Sequence, residues 1–86
     1  MPMTFRGDPS QLAVLQAGRQ RLSLSYQALW IDYFALGGNQ PLSDIEAWLT
    51  GNLPPSAHDY DVVAHALNER FTDQGLDHSV PYSADL

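Results

Sequence analysis

Apolar residues recur along this chain at the three-and-four spacing of helices, punctuated by Gly7–Asp8–Pro9, Gly37–Gly38, Pro41, Gly51, Pro54–Pro55, Gly75 and Pro81. No stretch alternates apolar and polar residues long enough to predict a strand. The first helix is predicted from about Pro9 to Gln20, with Asp8 as N-cap and Pro9 at the first helical position. Leu12, Leu15 and Leu22 lie on one stripe, and Gly18 weakens the segment by up to about 1 kcal/mol relative to Ala. A second helix is predicted from about Leu24 to Leu36 (LSYQALWIDYFAL), capped by Ser23 or Ser25 and ended by a left-handed Gly37. Only Ser25, Gln27 and Asp32 are polar in it, so it is apolar on nearly every side. Such a helix is central in its fold or touches a partner.

A third helix is predicted from Pro41 or Ser43 to Leu49. Ser43 and Glu46 have the capping-box spacing, Leu42, Ile45 and Leu49 form the inward stripe, and Trp48 sits beside it. The fourth, from about Ser56 to Gln74, has a cap-like Ser56–Asp59 pair and a stripe of Tyr60, Val63, Ala64, Leu67 and Phe71. Val62 and Ala66 widen that stripe, and Gly75 closes the helix. The predicted fold is all-α: a small orthogonal bundle of three helices plus a softer N-terminal one. Residues 1–22 read as an N-terminal arm or a helix that orders on docking, 23–76 as the helical core, and 77–86 as an extended tail pinned by Val80 and Tyr82.

The length of 86 residues allows one domain with a modest core. There is no Cys, which excludes a disulfide framework, thiolate zinc sites and cysteine nucleophiles. No apolar run approaches the roughly 20 residues of a membrane helix, and MPMTFRGD has no apolar stretch of the secretory kind. A cytoplasmic protein without membrane contact is expected.

Ten acids face four arginines and no lysine, for a net charge of -6. The charge is divided unevenly. Residues 1–22 carry Arg6, Arg19 and Arg21 against Asp8, or +2, and residues 23–86 carry Arg70 against nine acids, or -8. Such a body repels phosphate, so a nucleic-acid partner is disfavoured and a basic protein surface or self-association is favoured.

Candidate chemistry is sparse. His58, Asp61, His65 and Glu69 share one helical stripe. Two imidazoles and two carboxylates suit a divalent metal, but His58 and His65 stand two turns apart, about 10 Å, too far to share one ion. The favoured reading of these four residues is a solvated face opposite the core stripe. No nucleophile elbow, phosphate loop or carboxylate pair accompanies them, so neither enzyme, metal nor cofactor is expected. Gly37–Gly38–Asn39 reads as a cap and turn rather than a phosphate cradle, having no preceding strand and no following Lys. Trp30, Tyr33, Phe34 and Trp48 form an aromatic group that suits either a small core or an interface.

The stretch PPSAHDYDVVAHALNERF resembles the closing helix of phage-repressor-type DNA-binding domains. The recognition helix would then lie near Ser43 to Leu49, where Asp44 and Glu46 sit poorly against phosphates.

The segments LSYQALWIDYFALGG, IEAWLTG, HDYDVVAHALNERF and GLDHSVPY resemble a group of small, uncharacterised actinobacterial proteins, across about two-thirds of the chain. The resemblance implies a recurrent unit of the aromatic second helix and the ALNERF helix. It implies no activity and no site residues.

The expected function is a non-enzymatic protein–protein interaction module, regulatory or homodimeric. Trp30, Tyr33, Phe34 and Trp48 are the contact candidates. Asp44 and Glu46, with Asp59 and Asp61, would steer a basic partner. The alternative is a helix–turn–helix DNA-binding regulator that uses the N-terminal arginines on phosphates.

Overall fold

Four helices form where the apolar stripes predict them: α1 (Pro9–Arg21), α2 (Tyr26–Ala35), α3 (Leu42–Leu49) and α4 (Ala57–Asp73). A short 3-10 turn, Ser83–Asp85, follows. The computed structural model describes residues 5–76 and 80–86. Residues 1–4 of the N-terminal segment and 77–79 of the tail lie outside the described residues. Among the described residues there is no strand, and the fold is all-α.

Three helices begin on side-chain caps. Asp8 accepts from the Gln11 N–H, Ser25 from Ala28 and Ser56 from Asp59, each satisfying a backbone donor that the first turn leaves free. Of the two candidate serines, Ser25 therefore caps α2. In α3 the expected Ser43–Glu46 box does not form. Pro41, extended at φ -74° and ψ 165°, is the N-cap, and the helix starts at Leu42, which puts Ser43 inside the first turn. Proline has no side-chain acceptor, so this end is uncapped.

All four helices end in the same paired pattern of backbone bonds. Leu24 N–H reaches Arg19 O (3.1 Å), Gly38 reaches Tyr33 (3.0 Å), Asn52 reaches Ala47 (2.9 Å) and Leu76 reaches Phe71 (2.8 Å). The residue inside each turn is left-handed. At three ends it is glycine, and at α1 it is Ser23, with φ 53°. A side chain there costs about 1 kcal/mol relative to Gly.

The core gathers one stripe from each helix: Leu12 and Leu15, then Leu29 and Tyr33, then Ile45, Trp48 and Leu49, then Tyr60, Val63, Leu67 and Phe71. α2 packs on α3 and α4, and α1 packs on the same two helices. Helix α1 is thus a wall of the core, since Leu12 and Leu15 are fully buried. Gly18, read from sequence as a weak point, lies close against Val80, Leu67 and Phe71. A Cβ there would lie 3.1 Å from the Val80 side chain. Arg19 stays with its own helix end, donating to Leu24 O (2.8 Å) and lying 4.1 Å over the Tyr26 ring.

The tail is fastened along one flank of α4. Buried Asn68 donates to Val80 O (2.9 Å) and accepts from Val80 N–H (3.1 Å). Tyr60 donates to Pro81 O (2.8 Å), and Asp61 accepts from both the N–H and the hydroxyl of Ser83 (each 2.7 Å). Val80 is buried and Tyr82 packs on the core, as expected of the tail. Its last residues are not extended, because Asp85 reaches back to the Tyr82 N–H (3.2 Å) and closes a 3-10 turn.

Candidate interaction surface

α2 is apolar all round, but its surroundings treat its two sides differently. Leu29 and Tyr33 point into the core and are fully buried. The Tyr33 hydroxyl donates to Asp59 (2.8 Å) and accepts from the Asn39 and Gln40 N–H groups (3.2 and 3.1 Å). Gly37–Gly38–Asn39 is the turn that wraps this ring, and any Cβ on Gly38 would strike it. Burial pushes the Tyr33 hydroxyl above its usual pKa, helped by the Asp59 carboxylate, against the two N–H groups that pull it down. Trp48 is also buried, its ring edge-on to Tyr33 at 5.8 Å. Tyr33 and Trp48 are therefore core residues that fill the seam between α2 and α3. As partner contacts they have no surface to offer.

The other predicted residues lie at the surface. Trp30 is half-buried, with its indole N–H on Gln40 O (2.9 Å) and its ring 5.5 Å from Phe34. Phe34 is 58% exposed. On α3, Glu46 is exposed and Asp44 half-exposed, with no ion pair to either among the described residues. A duplex held against α3 would meet these carboxylates. Two residues not singled out from sequence belong with Phe34: Ile31 (53% exposed) and Leu36 (38%). The signal was available, since Ile31 lies about 160° around the helix from Leu29 and Tyr33.

Beyond this face, α2 and α4 enclose an open groove. Asp32 and Arg70 bridge it with two bonds, Nε to Oδ2 at 2.6 Å and Nη2 to Oδ1 at 3.2 Å. That pairing raises the Arg70 pKa, so the guanidinium keeps its charge. Around the bridge, Ala35, Leu36, Ala66, Glu69 and Asp73 line a hollow of about 450 Å³. A second hollow of about 310 Å³ shares Leu36 and is lined by Val62, His58, Asp61 and His65. The candidate metal stripe is dispersed here. Asp61 holds the tail, and His65 lies between Glu69 (3.0 Å) and the Tyr82 hydroxyl (3.2 Å). Among the described residues no three His, Asp or Glu side chains converge as metal ligands would.

The chain's cations face partners of its own: Arg6 on Asp8, Arg19 on Tyr26, Arg21 over Phe71 and Arg70 on Asp32. Among the described residues no helix is long and apolar enough to cross a membrane. No protein-family model, no curated protein and no solved structure matches the chain. Geometry and charge alone bear on its function.

Proposed function

We propose that the protein is a non-enzymatic, cytoplasmic interaction module that binds a regulatory protein partner through the outer face of α2. The observation that carries this reading is the exposure of Ile31 and Phe34 on a helix whose other side is fully buried, with Leu36 exposed at its C-cap. Ile31 and Phe34, three apart, meet on the helix surface, with the Trp30 ring beside Phe34. Covering such a face is worth several kcal/mol, and aromatic side chains of this kind dominate interface energies. The acidic surroundings, Asp44 and Glu46 included, favour approach by a basic surface.

The test needs no identified partner. The variant carrying Ile31→Ser and Phe34→Ser removes the face without opening the core. Its Tm is expected within about 3 °C of the parent, less than 1 kcal/mol for a domain of this size. A fall of about 10 °C or more would show that the face supports the fold, and would overturn the reading. Light scattering on a size-exclusion column, across a concentration series, then identifies the occupant. A parent dimer that becomes monomeric in the variant assigns the face to a second copy. Monomers in both leave it for another protein.

A further inference from the structure

We infer that the groove between α2 and α4 docks a cationic amphipathic helix from another protein. This rests on the reading of α2 as a binding element and names the chemistry of its partner. The groove follows α4 from His58 to Asp73, about 22 Å at 1.5 Å per residue, which is the length of a four-turn helix. Its apolar contacts are Leu36, Val62 and Ala66, the last belonging to the buried core. Ile31 and Ala35, one turn apart on α2, continue that apolar surface onto the outer face.

Charge selects the occupant. Asp32 and Arg70 pair with each other and Asp61 is taken up by Ser83, which leaves Glu69, 3.0 Å from the His65 ring, and Asp73 on the groove. Arg6 and Arg70 pair with Asp8 and Asp32, Arg19 and Arg21 lie over the Tyr26 and Phe71 rings, and among the described residues no arginine makes an ion pair with Glu69 or Asp73. A second copy would bring a net charge of -6 against them. An apolar strip beside carboxylates that no arginine pairs fits a helix with one apolar face and Arg or Lys beside it.

The probe is a fluorescein-labelled, 14-residue helical peptide of Leu, Ala and Arg, with Leu on one face and Arg flanking it. Anisotropy is read with the full chain at about 150 mM salt, where exposed charges beyond about 8 Å are screened. Saturable binding is expected. A scrambled peptide of equal charge, and one with Glu for Arg, should bind at least about ten-fold more weakly. Leu36→Ser and Val62→Ser, which leave the net charge unchanged, should each weaken binding about five-fold or more. Glu69→Gln with Asp73→Asn should weaken it too. Asp44→Asn with Glu46→Gln makes the same charge change outside the groove and should leave the affinity within about two-fold. Equal losses from the two acid pairs, or equal binding of the scrambled peptide, would show attraction to net charge alone and overturn the inference. Absence of peptide binding also overturns it. If the Ile31 and Phe34 variant still shifts the mass in solution, α2 remains the binding element and its occupant is a second copy. If neither responds, the docking inference fails, and the Tm of the Ile31 and Phe34 variant decides the reading of α2.

Discussion

The two flanks of α4 are built from similar residues and finished differently. On one, the chain lays its own tail, and the polar groups of α4 are taken up by it: Asn68 by Val80, Tyr60 by Pro81, Asp61 by Ser83. On the other, outside the packed core, one charged bridge joins α2 to α4, and Glu69 and Asp73 line an open hollow beside exposed Leu36. A buried polar group without a partner is expensive, so the tail must cover Asn68 and Tyr60, and it leaves a hollow of about 420 Å³ beside Tyr82, His65 and Thr72. The α2 flank keeps its polar groups in water, and nothing in the energetics of folding requires it to be covered. That difference separates residues that hold the fold from residues free to meet a partner.

The strongest way to break the comparison lies on the closed flank. Asn68→Ala strips both partners from the buried Val80 backbone and should destabilise the protein by about 2–4 kcal/mol in urea unfolding. A loss below about 1 kcal/mol would mean that the tail is not anchored as described.

Next comes alkaline pH. Burial pushes the Tyr60 hydroxyl up to about 12, with the Asp61 and Asp85 carboxylates adding to it. The folded state therefore favours the neutral phenol. Its contribution is complete below the unfolded value near 10 and is lost as pH rises from 10 through 12, on the order of 2–3 kcal/mol in all. Urea melts between pH 8 and 11.5 should show this slope, and Tyr60→Phe should flatten it in part, since Tyr33 is also shifted upward.

Smaller effects are expected elsewhere. Replacing Ser23 with Gly, on neither flank, should raise stability by up to about 1 kcal/mol, because the left-handed turn then carries no side chain. A thermal melt that moves downward would show that the Ser23 side chain does something the turn geometry does not reveal. On the open flank, Asp32→Asn should cost about 0.5–1 kcal/mol, as partly exposed ion pairs do, and high salt should mask part of it.

The sequence made the helices legible where pattern and punctuation agree. The stripe from Tyr60 to Phe71 between Ser56 and Gly75 is α4 almost to the residue, and Asp8–Pro9 marks the start of α1. It was less informative where contrast is low. With apolar residues on every side of α2, nothing local says which become core. Tyr33 is chosen by its hydroxyl partners, Asp59 being 26 residues away. Trp48 is chosen by the ring it meets on another helix. The local pattern therefore groups both with Phe34, which has no such ties. The integration of α1 was obscured by Gly18, whose missing side chain reads as helix weakness until Val80 is placed against it. In α3, the Ser43–Glu46 spacing is present, but the extended Pro41 starts the helix before it can act.

The central claim is that the α2–α4 flank, and not the acidic surface at large, is left open for a partner. Amide chemical-shift mapping of the full chain with the Leu/Ala/Arg peptide tests it most directly. The account predicts shifts concentrated at Ala35, Leu36, Val62, Ala66 and Glu69, with α1 and the Val80–Ser83 tail unmoved. Shifts spread over every acidic residue, or centred on the tail flank, would contradict it.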